Sequence, residues 1–333
     1  MVNNSDLLQV KELKKHFPSG RGWSFRGTKD LVHAVDGVSF SIHDGEVFGL
    51  VGESGCGKST TGRLVIRLIE PTSGEILFGG ENLLALGAES LRRLRRSMQI
   101  IFQDPYSSLN PRLRIRTTLA EPFIVHRICA KKEIEARLKQ LLETVGFEPD
   151  VLNRFPHEFS GGQRQRIAIA RAIALRPKFI VADEPVSSLD VSVQAQIINL
   201  LAELRDRFQL TFLFISHSLP VVAHLCDRIA VMYLGKIVEL GTTEEIFYNS
   251  SHPYTRALLS AVPEPDPKPK SSRLVLRGEI PSAVKVPSGC RFHPRCPIAD
   301  AGCAASEPPM ESLSATHWTA CFKYQEAAQL VIK

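Results

Sequence analysis

The chain has 333 residues, of which 44% are hydrophobic and 23% charged, with a formal net charge of +6. That length suits one large domain, or a large one with a small appendage, and the composition is that of a globular protein. No apolar run approaches the roughly 20 residues of a spanning helix and residues 1–6 do not read as a signal peptide, so the expectation is a cytoplasmic chain that reaches a membrane only through a partner.

Residues 8–13 and 34–42 alternate apolar and polar positions and are predicted as strands; residues 18–29 between them, rich in Gly, Arg and Lys, read as an exposed loop. Residues 47–51 form a short apolar run that suits a buried strand, and the pattern over 60–69 predicts a helix stopped by Glu70-Pro71. Between strand and helix stands Gly52-Glu53-Ser54-Gly55-Cys56-Gly57-Lys58-Ser59-Thr60, which matches G-x-x-x-x-G-K-[ST] at every fixed position. Gly52, Gly55 and Gly57 let backbone N–H groups approach a phosphate with no Cβ in the way, and the following helix turns its positive end toward the same anion. Lys58 can then reach the β- and γ-phosphates, and the Ser59 hydroxyl can ligate Mg²⁺. The sequence therefore predicts binding of a nucleoside triphosphate.

Farther along, Arg92-Arg93-Leu94-Arg95-Arg96 is the densest basic run. Without interleaved aromatics it reads as a solvated helical face, with contact to lipid headgroups or a membrane partner as the alternative. Residues 98–102 form another buried strand, closed by Gln103-Asp104-Pro105, after which the texture turns helical from about 106 to 171. Ile134, Leu138, Leu141, Leu142 and Val145 share one face of a helix that ends at Gly146. Strands return at 179–182, 211–215 and 229–233, with helical patterns such as 195–204 between them, so a parallel sheet covered on both faces is expected.

Two further stretches carry chemistry. The strand at 179–182 delivers Asp183 and Glu184 at its tip, where one carboxylate can hold Mg²⁺, directly or through water, and the next can orient an attacking water. Ser160-Gly161-Gly162-Gln163 opens a helix, giving either an ordinary Ser-Gly cap or a second anion site. Because one nucleotide does not need two such loops about a hundred residues apart, the second is read as serving another subunit's nucleotide.

With these motifs in order the chain resembles the nucleotide-binding subunit of an ABC transporter, whose signature is L-S-G-G-Q; here Phe159 stands for the Leu. Gln103 matches the family's Q-loop, Ser187-Ser188-Leu189-Asp190 the D-loop, and His217 the switch histidine, although Ser218 replaces the Asp that usually follows it. The resemblance implies a P-loop NTPase fold: a RecA-like core with an antiparallel β subdomain and an inserted helical subdomain. It also implies a head-to-tail pair of ATPase subunits with ATP sandwiched between one subunit's Gly52–Thr60 loop and the other's Ser160–Gln163, with Asp190 nearby. Glu184 would be the general base, His217 would contact the γ-phosphate, Lys58 would hold the phosphates, and Ser59, Gln103 and Asp183 would complete the Mg²⁺ shell. Ser54, Gly55, Cys56, Gly57 and Thr60 belong to the cradle. The adenine-stacking aromatic of the family falls on the first strand, where Phe17 is the candidate, His16 the runner-up, and a merely packed Phe the alternative.

Three stretches narrow the resemblance to bacterial dipeptide and oligopeptide importers, with nickel importers as an alternative: Glu12-Leu13-Lys14-Lys15-His16-Phe17, the run from Phe102 to Pro111, and His252-Pro253-Tyr254-Thr255-Arg256-Ala257-Leu258-Leu259. The implied partners are a second, related ATPase subunit in a heterodimer, two transmembrane permease subunits and an extracytoplasmic binding protein, with the chain at the cytoplasmic face of the membrane. A soluble ABC ATPase acting on nucleic acid or ribosomes is the reading from another class. One ATPase unit rather than two in tandem, and no long coiled-coil insertion, argue against it, so no nucleic-acid partner is expected.

Pro263, Pro265, Pro267 and Pro269 form a stiff, charged linker, which places a boundary between an ATPase domain at 1–262, with its helical insert at about 104–171, and a C-terminal domain at 263–333. That last segment reads Cys290-x5-Cys296-x6-Cys303-x17-Cys321. Four thiols suit a 4Fe-4S cluster or a tetrahedral Zn²⁺, and the spacing matches neither the common zinc knuckle nor the bacterial ferredoxin run. Related peptide-importer subunits carry an iron–sulfur cluster here, so the resemblance implies a 4Fe-4S cluster, with Zn²⁺ or unliganded cysteines as alternatives and a structural clamp as its function.

Overall fold

The computed structural model describes residues 6–19, 30–262, 274, 276 and 278–330. Most of the predicted loop at 18–29 and the whole proline linker at 263–269 lie outside the described residues. In chain order, β1 (Asp6–Pro18), β2 (Leu31–His43) and β3 (Val47–Val51) lead into α1 (Lys58–Val65), β4 (Ser73–Phe78), β5 (Glu81–Asn82) and α2 (Ala88–Leu94). Then follow β6 (Met98–Ile101) and the helices α3 (Pro105–Ser108), α4 (Ile115–Val125), α5 (Lys131–Thr144) and α6 (Gly161–Ile173). The next alternation is β7 (Phe179–Asp183), α7 (Val191–Phe208), β8 (Thr211–Ser216), α8 (Leu219–Leu225), β9 (Arg228–Tyr233) and β10 (Lys236–Thr242). The chain continues with α9 (Thr243–Tyr248), α10 (Pro253–Ser260), α11 (Ala301–Ala305), β11 (Glu311–Ser312), β12 (Trp318–Thr319) and α12 (Tyr324–Ala328).

Two compact units, each discontinuous in sequence, emerge from this order. The first takes residues 43–47 and 85–215. Its strands β6, β7 and β8 pair in parallel, with Met98 opposite Phe179, Ile101 opposite Ala182, and Asp183 opposite Ile215. Every residue of β7 and β8 is buried, because helices cover both faces of a parallel sheet and each side chain must then be apolar or paired. The helical insert packs Leu138, Leu141 and Leu142 of α5 inward, and its α4 and α5 are joined by an ion pair between Arg116 and Glu135. The basic run lies on and just after α2, where Arg92 and Arg93 are exposed, as the solvated-face reading expects.

The second unit takes the described residues among 6–42, 48–84 and 216–333. It holds an antiparallel sheet ordered β2-β1-β4-β5, with Leu8 opposite Phe78 and Val10 opposite Ile76. It also holds the strands β11-β12-β10-β9-β3, in which β3 and β9 run parallel and place Val51 beside Val231. The C-terminal segment thus extends a sheet: Thr319 lies opposite Glu239 and Trp318 opposite Leu240. Glu239 is fully buried, and its carboxylate accepts from the N–H groups of Ser251 and His252 and pairs with His317 at 2.9 Å, which satisfies a charge that burial alone would make costly. Helix α1 ends four residues earlier than its periodicity suggests; Ile66 caps it and Arg67 turns into the left-handed region.

Among the described residues, no helix is long and apolar enough to cross a membrane.

Candidate nucleotide site

The phosphate loop is shaped by close backbone approaches. Gly52 has φ 151° and Gly57 φ 111°; a Cβ on Gly52 would stand 2.1 Å from the Met232 carbonyl oxygen, and one on Gly57 2.2 Å from that of Ala34. No side chain fits either place, because the obstructing atoms are backbone. Gly55, φ 79°, has open space around it, so a group approaching the loop meets no side chain there. Lys58 is buried and its ammonium donates to the carbonyls of Gly52 at 2.8 Å and Glu53 at 3.0 Å, which aims the charge into the loop's hollow. Cys56 packs beneath with its Sγ 3.8 Å from that ammonium; burial pushes its thiol pKa up, so it sits there as a small apolar filler rather than a nucleophile. Ser54 is exposed, and Ser59 and Thr60 are half-buried in the first turn of α1.

Glu53, the first residue after Gly52, is held from afar. Its N–H donates to the Tyr254 hydroxyl at 2.8 Å, and its carboxylate receives two parallel bonds from Arg295 at 2.7 and 3.0 Å. Tyr254 is fully buried in an aromatic group with Tyr233 and Phe292, at ring separations of 4.7 and 5.4 Å. Neither partner was visible in the sequence, since they stand 201 and 242 residues away.

In the first unit, Gln103 and Glu184 come together, the amide Nε2 donating to Glu184 Oε2 at 2.9 Å. Glu184 follows β7 with φ 46°, a left-handed backbone that costs a residue with a Cβ on the order of 1 kcal/mol or more. It is pinned there: its N–H donates to Ile215 O at 3.0 Å, and Ser187 donates to its carbonyl through both N–H and hydroxyl. Asp183 ends the same strand fully buried.

Ser160 caps α6, its Oγ accepting from Gln163 N–H at 3.4 Å while Gln163 Oε1 accepts from Ser160 N–H at 3.0 Å. Ser160 and Gln163 are exposed. Gly161 and Gly162 pack on the chain that opens α7; a Cβ on Gly162 would lie 2.3 Å from Val193 Cγ1 and one on Gly161 3.3 Å from Leu189 Cδ2. Asp190 is the exposed N-cap residue of α7, its carbonyl accepting from the N–H groups of Val193 and Gln194.

In the second unit, His217 is exposed between β8 and α8, and Ser218 N–H donates to the Ser216 hydroxyl at 2.9 Å. Phe17 is half-buried near the end of β1 with the Lys15 ammonium 5.0 Å from its ring. His16 is committed elsewhere: its Nε2 meets Asp36 at 3.0 Å and its ring lies 4.2 Å from that of His33, tilted by 50°. Among the described residues, His16, His33 and Asp36 are the group whose ligand atoms all lie within 4.8 Å of one another, yet Arg291 already pairs with Asp36. Burial would raise the Asp36 pKa, but its bonds to Arg291 and His16 bring it down to about 2, which is the behaviour of an ion-pair network.

Cys290, Cys296, Cys303 and Cys321 line one small cavity with Phe292 and Phe322. Cys290 N–H donates to the Cys303 carbonyl at 2.8 Å, and Gly289, φ 63°, is required beside it because a Cβ would strike that same carbonyl at 2.5 Å. Burial, and then the neighbouring thiols, push Cys296 up to about 11 and Cys321 up to about 12, so both stay neutral thiols at neutral pH.

Residues 35–187 match the family model described as ABC transporter, and residues 238–303 match that of the oligopeptide/dipeptide transporter C-terminal region. The chain is 50% identical to the oligopeptide transport ATP-binding protein AppF of Bacillus subtilis over 326 residues, covering 97% of this chain and 99% of that protein. It is 48% identical to the oligopeptide transport ATP-binding protein OppF of Escherichia coli, covering 95% and 96%. Among solved structures it is similar to the ATP-binding cassette MJ0796 in a dimeric post-hydrolysis state bound to ADP and Pi, at 28% identity and TM-score 0.63, covering 71% of this chain and 98% of that one. A similar match, at TM-score 0.62 and 28% identity, is cbiO1 from Clostridium perfringens, covering 73% and 90%.

Proposed function

The chain belongs to the ABC transporter ATP-binding subunits of the oligopeptide/dipeptide type, and on that premise we propose that it hydrolyses ATP to power peptide import through a permease fed by a substrate-binding protein. What carries the reading is the 2.9 Å bond between Gln103 and Glu184, because it joins the residue that opens the helical insert to the carboxylate placed to act on water. A residue that leads directly into the insert's first helix is thereby joined to the base, which is what coupling of hydrolysis to transport requires.

In this reading the glycine loop holds the phosphates through its N–H groups and the α1 dipole, and Lys58 exchanges its loop carbonyls for the β- and γ-phosphates. Glu184 takes a proton from a water as the water oxygen bonds to the γ-phosphorus; the bond from that phosphorus to the β–γ bridging oxygen breaks, leaving ADP and phosphate. Bound Mg²⁺ neutralises charge on the phosphates, and Ser59, Gln103 and Asp183 are the residues that would hold it. Ser160–Gln163 and Asp190 face outward to complete a partner subunit's site, a second, related ATPase chain being the partner the family resemblance favours. Phe17 rather than His16 stacks on adenine, since His16 is tied to Asp36. His217 contacts the γ-phosphate.

The four cysteines would hold a 4Fe-4S cluster, acting as a clamp on the C-terminal segment. What supports a shared ligand over four separately buried thiols is that all four cysteines line one cavity. Anaerobic purification should give a brown protein with about four iron atoms per chain; a colourless, zinc-bearing protein would reverse the assignment.

The experiment for the main reading is reconstitution with the permease and partner ATPase subunits, measuring peptide-stimulated ATP hydrolysis. Glu184→Gln should lower turnover by about 10²- to 10⁴-fold while ATP still binds; unchanged turnover would remove Glu184 from the mechanism.

A further inference from the structure

Glu53 poses an electrostatic problem that the nucleotide reading does not solve. A carboxylate directly after Gly52, inside a loop built to hold three phosphates, repels the anion that the loop should attract. At 4 Å two like unit charges cost on the order of 1 kcal/mol in water and about four times that near a protein surface. Its partner comes from the C-terminal segment. Arg295 closes the short turn His293–Arg295 immediately before Cys296, and its guanidinium makes two parallel bonds to the Glu53 carboxylate. This fork geometry fixes the carboxylate's direction as well as its charge. Both groups are shielded from water, the side chains being 8% and 24% exposed, so salt and solvent weaken the pair less than they would on an open surface.

The backbone at the same residue is also held from the C-terminal side. Tyr254 accepts the Glu53 N–H, and its ring packs on Phe292, three residues before Arg295. Lys58 in turn donates to the Glu53 carbonyl, so the residue that is pinned by the C-terminal segment is also one of the two that orient the phosphate-binding lysine. A chain of direct contacts runs from the turn beside the cysteine cavity, through Arg295 and Glu53, to Lys58.

We infer that Arg295 is a positioning residue for ATP binding: it neutralises Glu53 and draws its carboxylate away from the phosphates, so the C-terminal segment sets the affinity of the phosphate loop. The inference rests on the loop's nucleotide role and adds to it the segment that governs it. Arg295 touches no substrate atom; its guanidinium also lies over the Tyr233 ring at 5.9 Å, and its proposed effect on ATP runs through Glu53. Its removal should therefore matter only while Glu53 carries a charge.

That condition makes the test a double-mutant cycle on the purified full-length chain, reading the equilibrium binding of a fluorescent ATP analogue. Arg295→Ala should weaken binding about tenfold, and the loss should shrink as salt is raised from 0.05 to about 0.5 M, since screening quiets the exposed carboxylate. In a Glu53→Gln background the same Arg295→Ala change should cost less than about twofold. Arg295→Lys, which keeps the charge but loses the fork, should fall between. Equal affinity of wild type and Arg295→Ala would overturn the inference. So would an equal loss in both backgrounds, which is what a purely structural role for Arg295 predicts, including one in which the variant fails to fold. If the wild-type chain bound no ATP analogue at all, the nucleotide reading itself would fall, an outcome distinct from either.

Discussion

Two helix starts in this chain carry Ser or Lys beside glycines, and they are built in opposite ways. The loop before α1 is held from far along the chain: Met232, Ala34, Tyr254 and Arg295 all press on or bond to it, and Lys58 is buried within it. The turn before α6 holds itself. Ser160 and Gln163 satisfy each other's backbone N–H groups three residues apart, and both remain exposed. On the proposed reading, an anion cradle that must form in its own chain needs long-range walls, whereas a surface offered to another subunit needs only a rigid local cap and open access. The glycines differ in the same sense. Gly52 and Gly57 of the first loop avoid backbone atoms that cannot move; Gly162 avoids a single valine methyl.

The largest separation between the two should come from alanine at each glycine. In Gly57→Ala the new methyl meets a carbonyl oxygen at 2.2 Å in a backbone of φ 111°, so the loop must deform and binding of ATP by the isolated chain should fall more than about 100-fold. In Gly162→Ala the clash at 2.3 Å is with Val193 Cγ1, a side-chain atom on the first turn of α7. Binding at the chain's own loop should survive, while ATPase activity of the reconstituted complex falls by about tenfold or more. Parallel loss of binding in both variants would break the distinction between a walled cradle and a presented surface.

Much of this was legible in the sequence for a physical reason. The phosphate loop, the acids at the end of β7 and the cap at Ser160 depend on residues within a few positions of one another, so spacing alone reports them. The strands at 47–51, 179–183 and 211–216 were equally plain, because strands buried on both faces read as unbroken apolar runs. What spacing could not report were pairings across hundreds of residues: Arg295 on Glu53, Tyr254 on the same residue, and the short strands β11 and β12 that extend the sheet from β10. The left-handed backbone of Glu184 was also hidden, since Glu has no preference for that conformation and the neighbouring Ile215 and Ser187 impose it. The family-like run around Tyr254 stood out in the sequence with no task attached to it; the bond to Glu53 N–H supplies one.

A smaller effect isolates the self-held turn. Ser160→Ala removes one N-cap acceptor and should destabilise α6 by about 1 kcal/mol, read as a lower urea midpoint of the chain. ATP binding by the isolated chain should not change, and turnover in the reconstituted complex should drop about tenfold, if the hydroxyl serves, as proposed, a nucleotide held by the partner. A loss of binding in the isolated chain would mean that the turn serves its own nucleotide after all.

The gentlest probe acts on the walled loop. Tyr254→Phe keeps the ring that packs on Tyr233 and Phe292 and deletes only the oxygen that accepts the Glu53 N–H. The unpaired N–H should cost on the order of 1 kcal/mol of stability. Because Arg295 still grips the carboxylate, ATP affinity should fall by no more than about threefold. That ordering separates two contributions at one residue, the backbone bond setting the loop's rigidity and the ion pair setting its charge. Should Tyr254→Phe weaken ATP binding more than Arg295→Ala does, the loop's shape as held by α10, rather than the charge balance set by Arg295, would be what limits affinity.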